Sequence, residues 1–225
     1  MSFGTIFLKL LDGFGTSVMI FFVTLLLALP LGLLVSFGSG SKNKYISAIF
    51  KFFVWIIRGT PLMLQIMVIF FAPGLVFHIP MKPIMVGILK IDPRIIAVLV
   101  AFIINYSAYF SEIFRGGIAS ISKGQLEAGQ VLGINQKQIF NKIIFLQVVK
   151  RILPPMSNEI ITLVKDTSLA KVVAVSELIF VAGEITAVTG KVWPLFFTGI
   201  FYLIFCGGLT VLFNYLEKKL SYFRG

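Results

Sequence analysis

The chain has 225 residues, of which 58% are hydrophobic and 13% charged, and its formal net charge is +11. Average water-soluble domains carry about 25% charged residues, so this composition excludes them and indicates an integral membrane protein. The positive charge does not require nucleic acid as a partner, because basic loops beside anionic lipid headgroups explain it.

The first predicted membrane span covers residues 16–37, which include the uncharged apolar stretch 18–35. A helix needs about 20 mostly apolar residues to cross the hydrocarbon core, because its backbone polar groups must be hydrogen-bonded internally. Residues 1–11 are only mildly apolar, and we expect no cleavable signal sequence there. Their large apolar side chains share one helical face, which predicts an interfacial helix packed at the outer membrane surface.

The second predicted span, residues 50–72, contains Arg58 and, two residues later, the pair Thr60 and Pro61. Proline lacks an N–H and disfavours helical geometry in the residue before it, so we expect a break in this span with a gating role for Pro61. Broken helices at membrane depth line cavities. Thr60 and Met63 are therefore candidate substrate contacts, with Thr60 or the freed amides available to a carboxylate. Arg58 is expected to pair with a carboxylate or a helix end, the alternative being direct substrate contact.

The third predicted span, residues 93–115, is interrupted by polar side chains. Asn105 and Ser107 are candidate substrate contacts, although small and polar residues also hold membrane helices together. Glu112 and Arg115 lie three residues apart near the cytoplasmic end, and this spacing predicts a structural ion pair.

A hydrophilic stretch, residues 116–147, follows the third span. We predict a brief helix at residues 127–132, ended by Gly133 in the left-handed conformation, and a second helix at residues 136–147. A short helix, a glycine break and a basic helix between two spans are typical of a segment that transmits movement from a partner protein to the membrane helices.

This stretch resembles the coupling loop of ABC importer permeases, whose pattern is Glu-Ala-Ala, three residues, Gly, nine residues, Ile, one residue, Leu-Pro. Glu127-Ala128-Gly129, Gly133 and Ile143 keep that spacing. Phe145-Leu146 stands where Leu-Pro is usual, and Gly129 stands where the second alanine is usual. If solvent-exposed, Gly129 loosens the short helix by roughly 1 kcal/mol.

Residues 58–62 and 108–117 narrow the resemblance to the polar amino-acid uptake branch of that family, and the motifs together cover most of residues 58–180. The resemblance implies the type I importer fold, all-α, with a coupling helix between spans 3 and 4. It also implies a cytoplasmic ATP-binding-cassette ATPase dimer, which binds ATP and Mg²⁺, an extracytoplasmic solute-binding protein, and a second permease subunit, identical in a homodimer or different in a heterodimer. Its ATPase-coupling residues are Leu126, Glu127, Ala128, Gly129, Leu132 and Gly133.

The fourth predicted span, residues 152–173, contains four charges, so a helix on the membrane surface is an alternative to a buried span. Two carboxylates within the hydrocarbon core require water or a cationic group beside them. Positions i, i+3, i+4 and i+7 form one helical stripe. Glu159, Thr162, Leu163 and Asp166 have this spacing, and we predict that together they bind a cationic substrate. Alternatively, Asp166 pairs with Lys165, Lys171 or a neighbouring subunit.

The fifth predicted span covers residues 192–216 and contains the single cysteine, Cys206, which we interpret as a small buried hydrophobe. Five spans with the N-terminus outside put twelve Lys and Arg residues in the cytoplasm and leave six outside, as the positive-inside rule favours. The twelve are Lys42, Lys44, Lys51, Arg115, Lys123, Lys137, Lys142, Lys150, Arg151, Lys218, Lys219 and Arg224. This is the topology of a protein of a prokaryotic cytoplasmic membrane with its C-terminus inside.

The sequence contains no cluster of His, Cys or carboxylates with metal-ligand spacing, and no phosphate-binding glycine loop. We therefore expect no enzyme, no metal site and no cofactor bound by this chain. The resulting hypothesis is a single-domain permease that moves a polar, basic amino acid inward by alternating access. An ion-coupled carrier or channel for a small cation, which needs no ATPase, is the alternative, and a structural scaffold is a third class.

Overall fold

The computed structural model describes residues 2–79, 82–86 and 89–220, with the backbone alone at residues 84–86, 89 and 90. Its helices are α1 (Phe3–Ser39), α2 (Lys44–Gly59), α3 (Leu62–Leu75), α4 (Pro93–Ala119), α5 (Lys123–Val131), α6 (Gln136–Ile139), α7 (Phe145–Asp166), α8 (Leu178–Thr189) and α9 (Trp193–Leu220). A π-helical turn at Phe140–Ile144 joins α6 to α7, and a 3₁₀ helix at Thr167–Val173 follows α7. The all-α prediction omitted one antiparallel hairpin between α3 and α4, formed by β1 (Ile84–Val86) and β2 (Leu89–Ile91).

Among the described residues, α1, α4 and α9 are each long and apolar enough to cross a membrane. Two bent helix pairs bring the number of candidate spans up to five if each pair forms one span. One pair is α2 with α3, and the other joins residues 136–173 to α8. The predicted spans 16–37 and 93–115 lie within α1 and α4, and 50–72 runs across α2 and α3. The predicted span 152–173 covers part of α7 and the 3₁₀ helix, 192–216 covers most of α9, and α8 lies outside all five.

The interfacial helix predicted at residues 1–11 forms, from Phe3 onward, the first part of the long helix α1. Ser2 accepts a hydrogen bond from the Thr5 amide at the start of α1, and the helix then continues without a break to Ser39. Ile6 and Leu10 are buried in a cluster with three residues of α8, Leu178, Ala182 and Ile185. This segment is therefore held by protein contacts along its apolar face.

The predicted break in the second span is confirmed. Thr60 has extended backbone angles, Pro61 precedes the first turn of α3, and α2 and α3 meet at 102°. Because Pro61 has no N–H to donate, the helical ladder cannot continue through this point.

The segment predicted as the fourth span is followed by a second bend, and the sequence prediction did not include α8, the helix beyond it. After the 3₁₀ helix, Ala174 adopts left-handed angles, and α8 begins after Glu177 at a bend of 53°. The signal was present in the sequence as an acidic capping residue directly before an apolar run. With only 12 residues, α8 is too short to be recognised as a span by its length.

The core forms where small residues let helices approach closely. A Cβ atom added at Gly32 of α1 would lie 2.8 Å from Phe110 Cβ of α4, so only glycine fits this crossing. The main apolar cluster joins α1, α3, α4, α7 and the 3₁₀ helix, and a second one joins α1, α8 and α9. These clusters hold both broken spans against the continuous helices α1 and α4.

Candidate functional site

A cavity of about 540 Å³ lies between the α2/α3 break, α4 and α7. Its size is within the range of about 300–1,000 Å³ that is typical of ligand pockets. Its lining residues are Arg58, Gly59, Thr60, Pro61, Leu62, Asn105, Tyr106, Tyr109, Glu159, Thr162, Asp166 and Leu169. Charged and polar groups from three separate helical segments thus converge on one space within the helix bundle.

The α7 wall carries the two carboxylates. Glu159, Thr162 and Asp166 all line the cavity, as their spacing along one helical face predicted. Leu163 does not line it: its side chain is 0% exposed and packs in the main apolar cluster. The predicted four-residue stripe is therefore corrected to three residues, because position i+4 of this helix turns into the core.

The α4 wall positions one of these carboxylates. Tyr106 Oη donates a 2.7 Å hydrogen bond to Asp166 Oδ2, and within the described residues Asp166 forms no ion pair with Lys165 or Lys171. Asn105 and Tyr109 line the same cavity. Ser107 lies elsewhere: its hydroxyl donates to the Ile104 carbonyl, and its own carbonyl faces Gly32 of α1.

Glu159 has no hydrogen-bond or ion-pair partner among the residues that the structure describes, and it is half-buried. A carboxylate in hydrocarbon costs about 2.5–3.5 kcal/mol on insertion scales, so a cavity open to water or a cation is the environment that tolerates it. This carboxylate is the strongest candidate in the cavity for contact with a cationic ligand.

The break supplies the third wall of the cavity. Thr60 lines it, and the Thr60 hydroxyl donates to the Ile56 carbonyl at 3.0 Å. Met63, also predicted as a substrate contact, is 47% exposed and does not line this cavity. Consecutive residues of an α-helix point about 100° apart, so Leu62 lines the cavity while the next residue, Met63, does not.

A second cavity of about 530 Å³ adjoins the first and shares Arg58, Gly59 and Tyr109 with it. Arg58 Nη1 lies 3.9 Å from Glu112 Oε2, and Arg58 Cζ lies 5.1 Å from the centroid of the Tyr109 ring. Arg115 donates to both Glu112 oxygens, at 2.9 and 2.5 Å. The predicted pairing of Arg58 with a carboxylate and the predicted Glu112–Arg115 ion pair are both present.

Sequence reasoning missed Glu177. Its side chain is 0% exposed, and its oxygens accept hydrogen bonds from the Ile179 and Phe180 amides at the start of α8. Ser17 of α1 accepts a hydrogen bond from the Leu178 amide. This carboxylate therefore caps a helix inside the bundle and is bonded by backbone donors, so it does not belong to the cavity.

The stretch after α4 contains the predicted short helix, although α5 begins at Lys123, four residues earlier than expected. Gly133 has φ +69, which confirms the predicted left-handed residue, and the Gly133 and Ile134 amides donate to carbonyls of α5. Glu127 and Ala128 are exposed and Leu126 is half-buried. The last apolar residues of the helix are the most exposed, Val131 at 88% and Leu132 at 76%.

Gly129 has a different role from the one expected. It is buried, and an added Cβ atom would lie 2.7 Å from both Cδ1 and Cγ1 of Ile139. The expected loosening of a solvent-exposed helix does not apply, because the missing side chain allows α6 to pack directly on α5. Phe145-Leu146, the other departure from the coupling-loop pattern, begins α7 directly after the π-helical turn.

No group of three or more His, Cys, Asp or Glu side chains within the described ranges is arranged to hold a metal ion. The candidate site is a cavity lined by carboxylate, guanidinium, amide, hydroxyl and aromatic groups.

The chain is similar to known membrane transport proteins over most of its length. Residues 28–222 match the family described as "Binding-protein-dependent transport system inner membrane component". The chain is 34% identical over 198 residues to the glutamine transport system permease protein GlnP of Escherichia coli K12, covering 86% of this chain and 84% of that one. It is 32% identical over 213 residues to the arginine transport system permease protein ArtQ of Bacillus subtilis, covering 94% and 92%.

The fold is also found in solved structures. The crystal structure of an amino acid ABC transporter with histidines superposes with a TM-score of 0.81 at 26% identity, covering 94% of each chain. The MetNI methionine ABC transporter in inward facing conformations has a TM-score of 0.65 at 14% identity, which shows a shared fold alone, over 98% of this chain and 99% of that one. The chain therefore belongs to the binding-protein-dependent transport system inner membrane components, as an ABC importer permease subunit related to amino-acid permeases.

Proposed function

We propose that this permease imports a polar, basic amino acid through the cavity between the α2/α3 break, α4 and α7. The observation that carries the proposal is the pair of carboxylates, Glu159 and Asp166, on one wall of that cavity. Glu159 takes the cationic group of the substrate, and Asp166, oriented by Tyr106, provides a second negative charge.

The charge balance of the cavity favours a cation. Arg58 is the one basic side chain among the lining residues, and it is already paired with Glu112 and stacked on Tyr109. The carboxylates of Glu159 and Asp166 are then left without a basic partner in the cavity, and within the described structure only Asp166 receives a hydrogen bond. A cationic side chain compensates this charge as it enters, whereas a neutral side chain leaves it uncompensated.

The carboxylate of the substrate has a complementary position at the start of α3. Leu62 lines the cavity at this helix N-terminus, and no side chain caps it. Unpaired amides at a helix N-terminus attract anions through hydrogen bonding and the helix dipole. An amino acid extended from α3 towards α7 places its carboxylate and its cationic side chain at opposite walls.

The curated relatives do not by themselves select a substrate. Their names include glutamine, L-cystine and arginine transport systems, so both neutral and basic amino acids occur among them. The cavity carboxylates are the reason that we favour a basic amino acid for this chain.

In the proposed transporter the chain crosses the cytoplasmic membrane five times, with its N-terminus outside, and acts as a dimer of permease subunits. An extracytoplasmic binding protein delivers the amino acid, and a cytoplasmic ATPase dimer binds ATP and Mg²⁺. The exposed end of α5 at Val131 and Leu132 supports docking into a groove of the ATPase. ATP-driven closure of the ATPase would rock the helices between outward-open and inward-open states.

The test is uptake into proteoliposomes that contain the permease, the ATPase and the binding protein, measured with radiolabelled arginine, lysine and glutamine. We expect ATP-dependent uptake of arginine and lysine that exceeds glutamine uptake at least tenfold. Equal uptake of glutamine would contradict the selectivity, and the absence of amino-acid uptake would contradict the function.

The intramembrane carboxylates also favour a second function, that of an ion-coupled carrier or channel for a small cation. The same vesicles separate the two, because such a carrier moves its substrate without the ATPase and without ATP. An ion-coupled carrier would also have no ATPase to dock on the exposed segment around Glu127.

A further inference from the structure

The side chain of Gln65, on α3, makes four hydrogen bonds that reach α2, the break between α2 and α3, and α4. Its Nε2 atom donates to the Ile57 carbonyl at 2.8 Å, to Thr60 Oγ1 at 2.9 Å and to the Thr60 carbonyl at 3.2 Å. Its Oε1 atom accepts a 3.0 Å hydrogen bond from Nδ2 of Asn105. Gln65 therefore ties the end of α2 and the break to α3, and ties α3 to α4.

The bond to Ile57 replaces one that proline has removed. In an uninterrupted α-helix the Ile57 carbonyl would accept from the amide of residue 61, four positions later. That residue is Pro61, which has no N–H. The Nε2 atom of Gln65 occupies the place of the missing donor, so the carbonyl is satisfied although the helix ends here.

The chemistry of a primary amide explains why this position holds glutamine. Its nitrogen carries two hydrogens and faces three acceptors, which share them, while its oxygen faces one donor. A carboxylate of the same shape has no hydrogens to donate to the Ile57 and Thr60 carbonyls. An apolar side chain of the same length satisfies neither side of this network.

Gln65 does not line the cavity, but two of its partners do. Thr60 and Asn105 are both lining residues, on the break and on α4 respectively. Without Gln65, the amide of Asn105 loses its partner on α3. The side-chain hydrogen bonds that remain at the break are those from the Thr60 hydroxyl to the Ile56 and Ile57 carbonyls, at 3.0 and 3.5 Å. The shape and polarity of two cavity walls therefore depend on one side chain outside the cavity.

We propose that Gln65 is a positioning residue for transport, which sets the affinity of the cavity for the amino acid by holding the α2/α3 break and Asn105 in place. This rests on the proposed function only in taking the cavity as the binding site. It does not depend on which amino acid is carried.

The test compares Gln65→Met, which keeps an unbranched side chain but removes the hydrogen bonds, with the parent complex in the proteoliposome assay. The substrate is whichever amino acid the parent transports fastest. We expect the half-saturation concentration to rise about tenfold, as follows from losing one or two hydrogen bonds, with the maximal rate within about twofold. Thr210→Val is the matched control, because it removes a side-chain bond to a helix carbonyl on α9, away from the cavity.

A double-substitution cycle separates positioning from general destabilisation. If Gln65 acts through Asn105, then Gln65→Met combined with Asn105→Leu is expected to be no more than about twofold worse than the more severe single variant. An unchanged half-saturation concentration in Gln65→Met, a loss of maximal rate alone, or fully additive effects would each overturn the proposal.

A readout without transport keeps the proposal testable if the parent complex carries no amino acid. Cys206 is the single cysteine of the chain, so a Cys206→Ala background with Thr60→Cys carries one reporter thiol at the break. We expect Gln65→Met to increase the labelling rate of that thiol by a maleimide about tenfold, because the break loosens. Unchanged labelling would contradict the role of Gln65, whereas absent uptake with faster labelling would contradict the proposed function alone.

Discussion

Tyr106 on α4 and Asp166 on α7 are joined across the cavity by a hydrogen bond of 2.7 Å between the phenol Oη and the carboxylate Oδ2. The two residues are 60 positions apart, and Asp166 is the last residue of α7 before the helix tightens into 3₁₀ geometry. This contact fixes where the second carboxylate lies and links α4 to the broken fourth span.

Removing that contact is expected to lower stability. Tyr106→Phe leaves Asp166 without its donor in a partly buried position, and hydrogen bonds to charged groups contribute about 1.5–3 kcal/mol. We expect the detergent-solubilised protein to unfold at a temperature several degrees lower in a thermal fluorescence assay. Tyr109→Phe is the matched control, because it keeps the ring that stacks on Arg58, and an equal loss in both variants would contradict this role of the Tyr106 hydroxyl.

Glu159→Gln is expected to remove the main attraction for a cationic side chain. The substitution keeps size and polarity but abolishes the charge, so arginine uptake should fall at least tenfold while glutamine uptake changes little. Glu184→Gln, an exposed glutamate on α8, serves as the control. Arginine or lysine uptake as strong as that of the parent would count decisively against a substrate role of Glu159.

Gly129→Ala tests the packing of α5 on α6. Alanine is the better helix former by about 1 kcal/mol, yet its Cβ atom would lie 2.7 Å from the Ile139 side chain. We expect ATP-driven uptake to decrease, and Gly129→Ala combined with Ile139→Ala to recover most of it, because the second substitution removes both clashing atoms, Cγ1 and Cδ1 of Ile139. An increase in uptake in the single variant would show that helix propensity outweighs packing here.

Simultaneous replacement of Glu127 and Gly133 is expected to abolish association with the ATPase. Gly133 has φ +69, which other residues rarely adopt, and Glu127 is exposed on α5. The measurement is co-purification of the ATPase with a tagged permease, with Gln125→Ala as the single-site comparison. Intact co-purification of the double variant, or labelling of residues 125–133 from outside the cell, would defeat the coupling assignment.

Glu177→Ala is expected to destabilise the junction between the 3₁₀ helix and α8. The carboxylate accepts two backbone hydrogen bonds at this helix start, and losing an N-cap costs about 0.5–2 kcal/mol. Thermal unfolding should occur at a lower temperature, with Glu177→Asp closer to the parent because aspartate is itself a good cap. No difference between Glu177→Ala and Glu184→Gln would contradict a capping role.

The residue order alone was enough to predict the membrane class, the break at Pro61 and the left-handed Gly133. These features depend on local chemistry: the composition of a segment, the absence of an N–H in proline, and the freedom of glycine at positive φ. The i, i+3 and i+7 spacing of Glu159, Thr162 and Asp166 likewise places them on one helical face without any tertiary information.

Tertiary packing decided which side of each helix faces the cavity and what each polar group contacts. Leu163 and Ser107 stand beside cavity-lining residues in the sequence, but Leu163 of α7 is buried in the core and Ser107 of α4 faces α1. The Tyr106–Asp166 contact joins positions 60 residues apart, and the Asn105–Gln65 contact joins positions 40 apart. Periodicity fixes a residue's direction only relative to its own helix, so its partners depend on how the helices are rotated and packed against one another.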